Sequence, residues 1–162
     1  MDIDQIARLK KISQQLRKSV IRELSAAGSG HSAGCLGFAD VMAVLYFHAM
    51  RLDPENPNWE DRDIFVMSNG HYAPLLYATL AERGFFDKKE LANLRKFGSK
   101  LQGHPERGSL AGIETTSGPL GCGLSQAAGM TYSLQYLGGN SERFVYCSLG
   151  DGELDEGNIW EA

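Results

Sequence analysis

The chain has 162 residues, 43% of them hydrophobic, with a formal net charge of −4 and a pI near 5.5. This is one domain's worth of chain with enough apolar material for a core. It has no basic surplus to displace counterions from nucleic acid, no apolar run near the ~18 residues of a membrane span, and no signal peptide in its acidic start.

Ile3, Ile6, Leu9, Ile12, Leu16, Val20 and Leu24 recur at three- and four-residue steps, which predicts an amphipathic helix over residues 3–27 ended by Gly28. Residues 28–34 are glycine-rich and read as a loop. Helical spacing returns from Phe38 to Met50, and Pro54 and Pro57 mark a surface connection. Asp63 to Ser68 reads as a short buried strand, and Pro74 suits the first turn of a helix that stops at Gly84. Asp87-Lys88-Lys89-Glu90 resembles a capping box opening a short helix that ends near Phe97. Residues 98–123 are irregular, residues 124–137 form a small-residue helix, and residues 143–149 form a second buried strand. Alternating strands, loops and helices predict an α/β fold: a doubly wound, mainly parallel sheet flanked by helices, incomplete within residues 1–162 as a single domain.

Nineteen glycines exceed the usual share of roughly 7%. Three of the four histidines directly follow one: Gly30-His31, Gly70-His71 and Gly103-His104. A lone histidine is usually a hydrogen-bonded structural residue, but three in the same setting at element boundaries suggest a shared site. Separations of 40 and 33 residues offer no local zinc spacing. Glycine neighbours favour hydrogen bonding and proton transfer around an anionic ligand, because backbone N–H groups can approach phosphate oxygens there. Cys35, Cys122 and Cys147 show no Cys-x-x-Cys spacing, which fits a reducing cytoplasm.

The second strand runs into Gly150-Asp151-Gly152. A carboxylate flanked by glycines at the carboxyl end of a buried strand suits a hard cation such as Mg²⁺, which neutralises a diphosphate. The acidic residues Glu153, Asp155, Glu156 and Glu161 can equally be a solvated helix start favoured by the helix dipole.

The ordered set Gly28-Ser29-Gly30-His31, Ser68-Asn69-Gly70-His71, Gly103-His104-Pro105-Glu106, Ser117-Gly118-Pro119-Leu120-Gly121 and Gly150-Asp151-Gly152-Glu153-Leu154 resembles the N-terminal, thiamine diphosphate-binding part of transketolase. The resemblance covers essentially the whole chain. It implies thiamine diphosphate held through Mg²⁺, and transfer of a two-carbon ketol unit from a ketose phosphate to an aldose phosphate. By matching positions, Asp151 would ligate Mg²⁺. Gly150, Gly152, Glu153, Gly118, Pro119, Leu120 and His71 would hold the cofactor. His31 and His104 would face the sugar, and Glu156 and Glu161 would link two active sites across a dimer interface. Thiamine itself stabilises the carbanion, so the protein orients, polarises and excludes water.

Three positions depart from the pattern. Ser32 stands where many members carry proline, Asn69 where relatives resembling the animal enzyme carry lysine, and Cys122 where glutamine is frequent. In the family the cofactor motif runs on for about 25–30 residues past Gly-Asp-Gly to an asparagine that completes the metal shell Mg²⁺ requires. Only ten residues follow Gly152 here. The resemblance therefore implies a chain inactive by itself, needing a C-terminal half or same-chain downstream domains, in a homodimer or heterotetramer acting on sugar phosphates. Two other readings stay open: a sister thiamine enzyme such as 1-deoxyxylulose-5-phosphate synthase or dihydroxyacetone synthase, and a non-catalytic transketolase-like fragment.

Overall fold

The computed structural model describes residues 1–138 and 142–162, which group into two compact units. The first comprises residues 1–50 and 71–103, the second residues 51–70 and 104–162.

The first unit is helical. Helix α1 (Ile3–Ala27) opens on Asp2, whose side chain accepts from Gln5 N, and ends at Gly28 in the left-handed conformation (φ 66°). Its inward face is Leu9, Ser13, Leu16, Val20 and Glu23, the three- and four-residue rhythm of an amphipathic helix. Each fully buried aliphatic there contributes roughly 1.5–3 kcal/mol. This stripe packs on α2 (Ala33–Val44), α3 (Ala73–Arg83) and the 3₁₀ turn Lys88–Asn93. Helix α3 is buried along Ala73–Ala81, with Pro74 in its first turn and Gly84 (φ 102°) as its stop.

Two elements differ from the sequence reading. Helix α2 starts five residues before Phe38 and continues as a π turn, Leu45–Ala49. Gly34 lies inside it because the Tyr72 ring occupies the space of a side chain: an added Cβ would sit 2.1 Å from Tyr72 Cε1. The glycine there serves packing rather than a loop. The segment after Asp87 makes only the 3₁₀ turn Lys88–Asn93, with Asp87 accepting from Lys89 N at 2.9 Å.

The second unit holds a parallel pair, β1 (Ile64–Met67) and β2 (Val145–Ser148), in register Ile64↔Val145 to Met67↔Ser148. Helix α4 (Cys122–Tyr132), extended by a π turn Ser133–Leu137, packs on both strands, and the short α5 (Gly157–Glu161) packs on α4. Parallel strands require a crossover connection, which fits the α/β class expected from the sequence. Among the described residues the sheet has two strands, and no helix is long and apolar enough to cross a membrane.

Candidate cofactor site

In the second unit the carboxyl ends of β1 and β2 lead into Ser68-Asn69-Gly70 and Leu149-Gly150-Asp151-Gly152. A buried carboxylate pins each end of this strand pair. At the amino end, Asp63 accepts from Arg51 N (2.9 Å), Arg51 Nη2 (3.3 Å) and Phe144 N (2.9 Å). At the carboxyl end, Glu153 is 2% exposed. Its Oε1 accepts from the Ser68 hydroxyl and from Gly121 N (2.7 Å), and its Oε2 from Gly150 N (2.9 Å).

The surrounding loops are drawn to the same end. Ser68 Oγ accepts from Gly123 N at 3.0 Å, and the Ser148 hydroxyl donates to Asn69 Oδ1 at 2.7 Å. Gly70 lies against the Ser117–Gly118 backbone, where an added Cβ would stand 3.0 Å from Gly118 N. Ser117 N donates to the Pro105 carbonyl at 3.1 Å, so His104 and Gly118 each lie one residue from that bond. Arg62 braces the loop through a two-pronged pair with Glu114 (2.6 and 3.1 Å). Gly121 (φ 82°) caps the start of α4 in a left-handed conformation that disfavours side chains, and Gly123 lies so close to the residue after β1 that a Cβ would fall 2.3 Å from Ser68 Cβ.

The expected site residues divide by surroundings. In the second unit His104, Pro119, Leu120, Asp151, Gly152, Glu156 and Glu161 are exposed, Gly118 is half-buried and Gly150 is buried. Glu153, expected against the cofactor, instead points its carboxylate into the protein, where both oxygens accept from protein donors. In the first unit the structure brings His31 and His71 together, with ring centroids 5.3 Å apart in an edge-to-face arrangement. His71 also packs edge-on to Tyr72 at 4.6 Å.

Sequence reasoning passed over Ser68, Asp63 and Ser148 as site builders. Ser68 follows β1 and Ser148 ends β2, but only the fold shows where their hydroxyls go. Burial, and secondarily the nearby Glu153 charge, pushes the Cys147 thiol up to about 11, so this cysteine is protonated and inert near neutral pH.

The residues fit a diphosphate-bearing ligand. Asn69 Nδ2 is a buried donor with no acceptor, and Asn158 Oδ1 a buried acceptor with no donor, among the described residues. The Cβ positions of Gly118 and Gly152 face open space, as backbone reaching a ligand requires. For a divalent cation the fit is partial. Asp151 presents an exposed carboxylate, but no group of three or more His, Cys, Asp or Glu residues could hold a metal among the described residues.

Residues 9–162 match the family described as transketolase, thiamine diphosphate binding domain. Mouse transketolase is 49% and human transketolase 48% identical across 99% of this chain, and the match covers 26% of each of those proteins. A Clostridium protein named 6-deoxy-6-sulfo-D-fructose transketolase subunit SqwG is 42% identical over 91% of the chain and 53% of its own length. Among solved structures, Leishmania mexicana transketolase superposes with a TM-score of 0.90 at 36% identity, over 94% of this chain and 24% of that one. Campylobacter jejuni transketolase gives 0.88 at 35% identity, over 99% and 26%. The chain thus spans about a quarter of the length of the curated transketolases it matches.

Proposed function

The chain belongs to the transketolase thiamine diphosphate-binding domain family, and on that premise we propose that it is the cofactor-holding N-terminal part of an enzyme that moves a two-carbon ketol unit from a ketose phosphate to an aldose phosphate. The observation that carries this reading is the convergence at the carboxyl ends of β1 and β2. There an exposed Asp151, the open Gly118 and Gly152 and the Asn69 Nδ2 without an acceptor among the described residues surround backbone suited to a diphosphate.

When bound, thiamine diphosphate would supply the carbanion-stabilising ring, the hard part of ketol chemistry. This chain's residues would orient and polarise. Asp151 would hold Mg²⁺ against the diphosphate, Gly150 and Gly152 would let backbone approach it, and His71 would contact it near the phosphates. Gly118, Pro119 and Leu120 would seat the remainder of the cofactor. His31 and His104 would hydrogen-bond sugar hydroxyls and move protons there. Glu156 and Glu161 would meet a second subunit at the dimer interface. The downstream half would lie on the same chain or a separate one, and the SqwG relative, named as a subunit, supports the two-chain form. The three free cysteines suit a cytoplasmic enzyme.

Titration calorimetry with thiamine diphosphate and Mg²⁺ tests the reading, together with a ketol-transfer assay. The full-length enzyme, with any partner chain, should bind the cofactor and transfer the ketol unit. Residues 1–162 alone should bind weakly or not at all. Absence of cofactor binding by the full-length enzyme refutes the proposal.

A further inference from the structure

We propose that Glu153 is a positioning residue that sets the Asp151 loop for the cofactor without touching it; this rests on the thiamine diphosphate reading above. A carboxylate buried to 2% exposure must find donors, and Glu153 has three and no ion-pair partner among the described residues. They come from three separate segments: Ser68 at the end of β1, Gly121 at the start of α4, and Gly150 at the end of β2. Each segment adjoins a group offered to the ligand: Asn69 beside Ser68, the Gly118-Pro119-Leu120 turn before Gly121, and Asp151 after Gly150. One side chain therefore fixes the spacing among three parts of the site, as outer-shell partners of metal ligands do.

The arrangement also demands a carboxylate. Both oxygens accept, so glutamine would turn its NH₂ toward a donor: the Gly150 N–H on one side, or Ser68 and Gly121 on the other. In the full-length enzyme, E153Q should weaken thiamine diphosphate binding in the presence of Mg²⁺ by about 10–100-fold. Turnover at saturating cofactor should stay within about twofold, because the side chain meets no reacting atom, and raising Mg²⁺ should recover part of the lost affinity. S68A keeps the carboxylate and removes one of its donors, so it should raise the Kd by a smaller factor, about 3–10-fold; it carries the test if E153Q fails to fold.

Calorimetry reads cofactor affinity independently of turnover, and circular dichroism checks that each cofactor-free variant is folded. Folded variants that bind the cofactor as tightly as wild type overturn this inference alone. Unchanged affinity with reduced turnover overturns it too, by placing Glu153 in the chemistry. A wild-type enzyme that does not bind thiamine diphosphate overturns the functional reading, and this inference with it.

Discussion

Glu23 offers a quantitative test of the first unit. It sits on the inward face of α1, 1% exposed, and neither carboxylate oxygen has a hydrogen-bond partner among the described residues. Burial raises its pKa to about 9 from an ordinary 4.5, so the folded protein keeps this carboxyl neutral where the unfolded chain ionises it. The folded state therefore holds the extra proton, and the Glu23 contribution to stability is greatest below pH 4.5 and falls as pH rises toward 9. At about 1.4 kcal/mol per unit, ionisation of the unfolded chain alone costs about 3 kcal/mol by pH 7 and about 6 kcal/mol by pH 9. The charges around Glu23 do little to offset this. Arg22, Lys88 and Lys89 line the adjoining cavity of about 240 Å³ with it, but Lys88 is already paired with Glu82 at 2.7 Å. The neighbouring Cys35 thiol is itself pushed up to about 11, first by burial and in smaller part by the Glu23 charge. E23Q cannot titrate and should lose this slope. Thermal unfolding between pH 5 and 9 should show wild type losing about 6–12 °C more than E23Q over the first two to three pH units, at roughly 2–4 °C per kcal/mol for a domain of this size. Parallel pH profiles for the two proteins would refute the reasoning.

Other residues give shorter tests. G123A places a Cβ 2.3 Å from Ser68 Cβ, so α4 must move off β1; thermal unfolding should show a loss of about 1–3 kcal/mol, with weaker cofactor binding in calorimetry. D151N changes an exposed side chain and should leave the melting temperature near wild type while abolishing the Mg²⁺-dependent part of thiamine diphosphate affinity; undiminished binding would remove Asp151 from the metal site. D63N weakens the carboxylate that holds Arg51 and Phe144 N at the amino end of the strands. It should cost about 2–3 kcal/mol in denaturant unfolding and affect cofactor affinity less than E153Q does.

Much of this fold was legible because its signals are local. The buried stripe Leu9, Leu16 and Val20 follows the helical period, and Gly28 and Gly84 stop their helices in left-handed conformations that sequence can anticipate. The two strands read as apolar runs rich in β-formers, and their parallel pairing satisfies the expectation of an α/β sheet. The glycine-histidine and glycine-aspartate motifs identified the family, because order and spacing along a chain are properties of sequence alone.

Tertiary structure decided the rest, wherever the deciding partner lies far along the chain. Gly34 reads as a loop glycine until the Tyr72 ring, thirty-eight residues on, takes the place of its side chain. The pairing of His31 with His71 spans forty residues and leaves no local trace. The acidic residues on either side of Gly152 look alike in sequence, yet Glu153 turns inward while Asp151, Asp155 and Glu156 face solvent. The reason is that a buried carboxylate is stable only where donors meet it. Gly150 is local, but Gly121 and Ser68 arrive from 32 and 85 residues away. Which acid holds the loop, and which are left facing solvent, is therefore set by the packing of α4 and β2 against the end of β1.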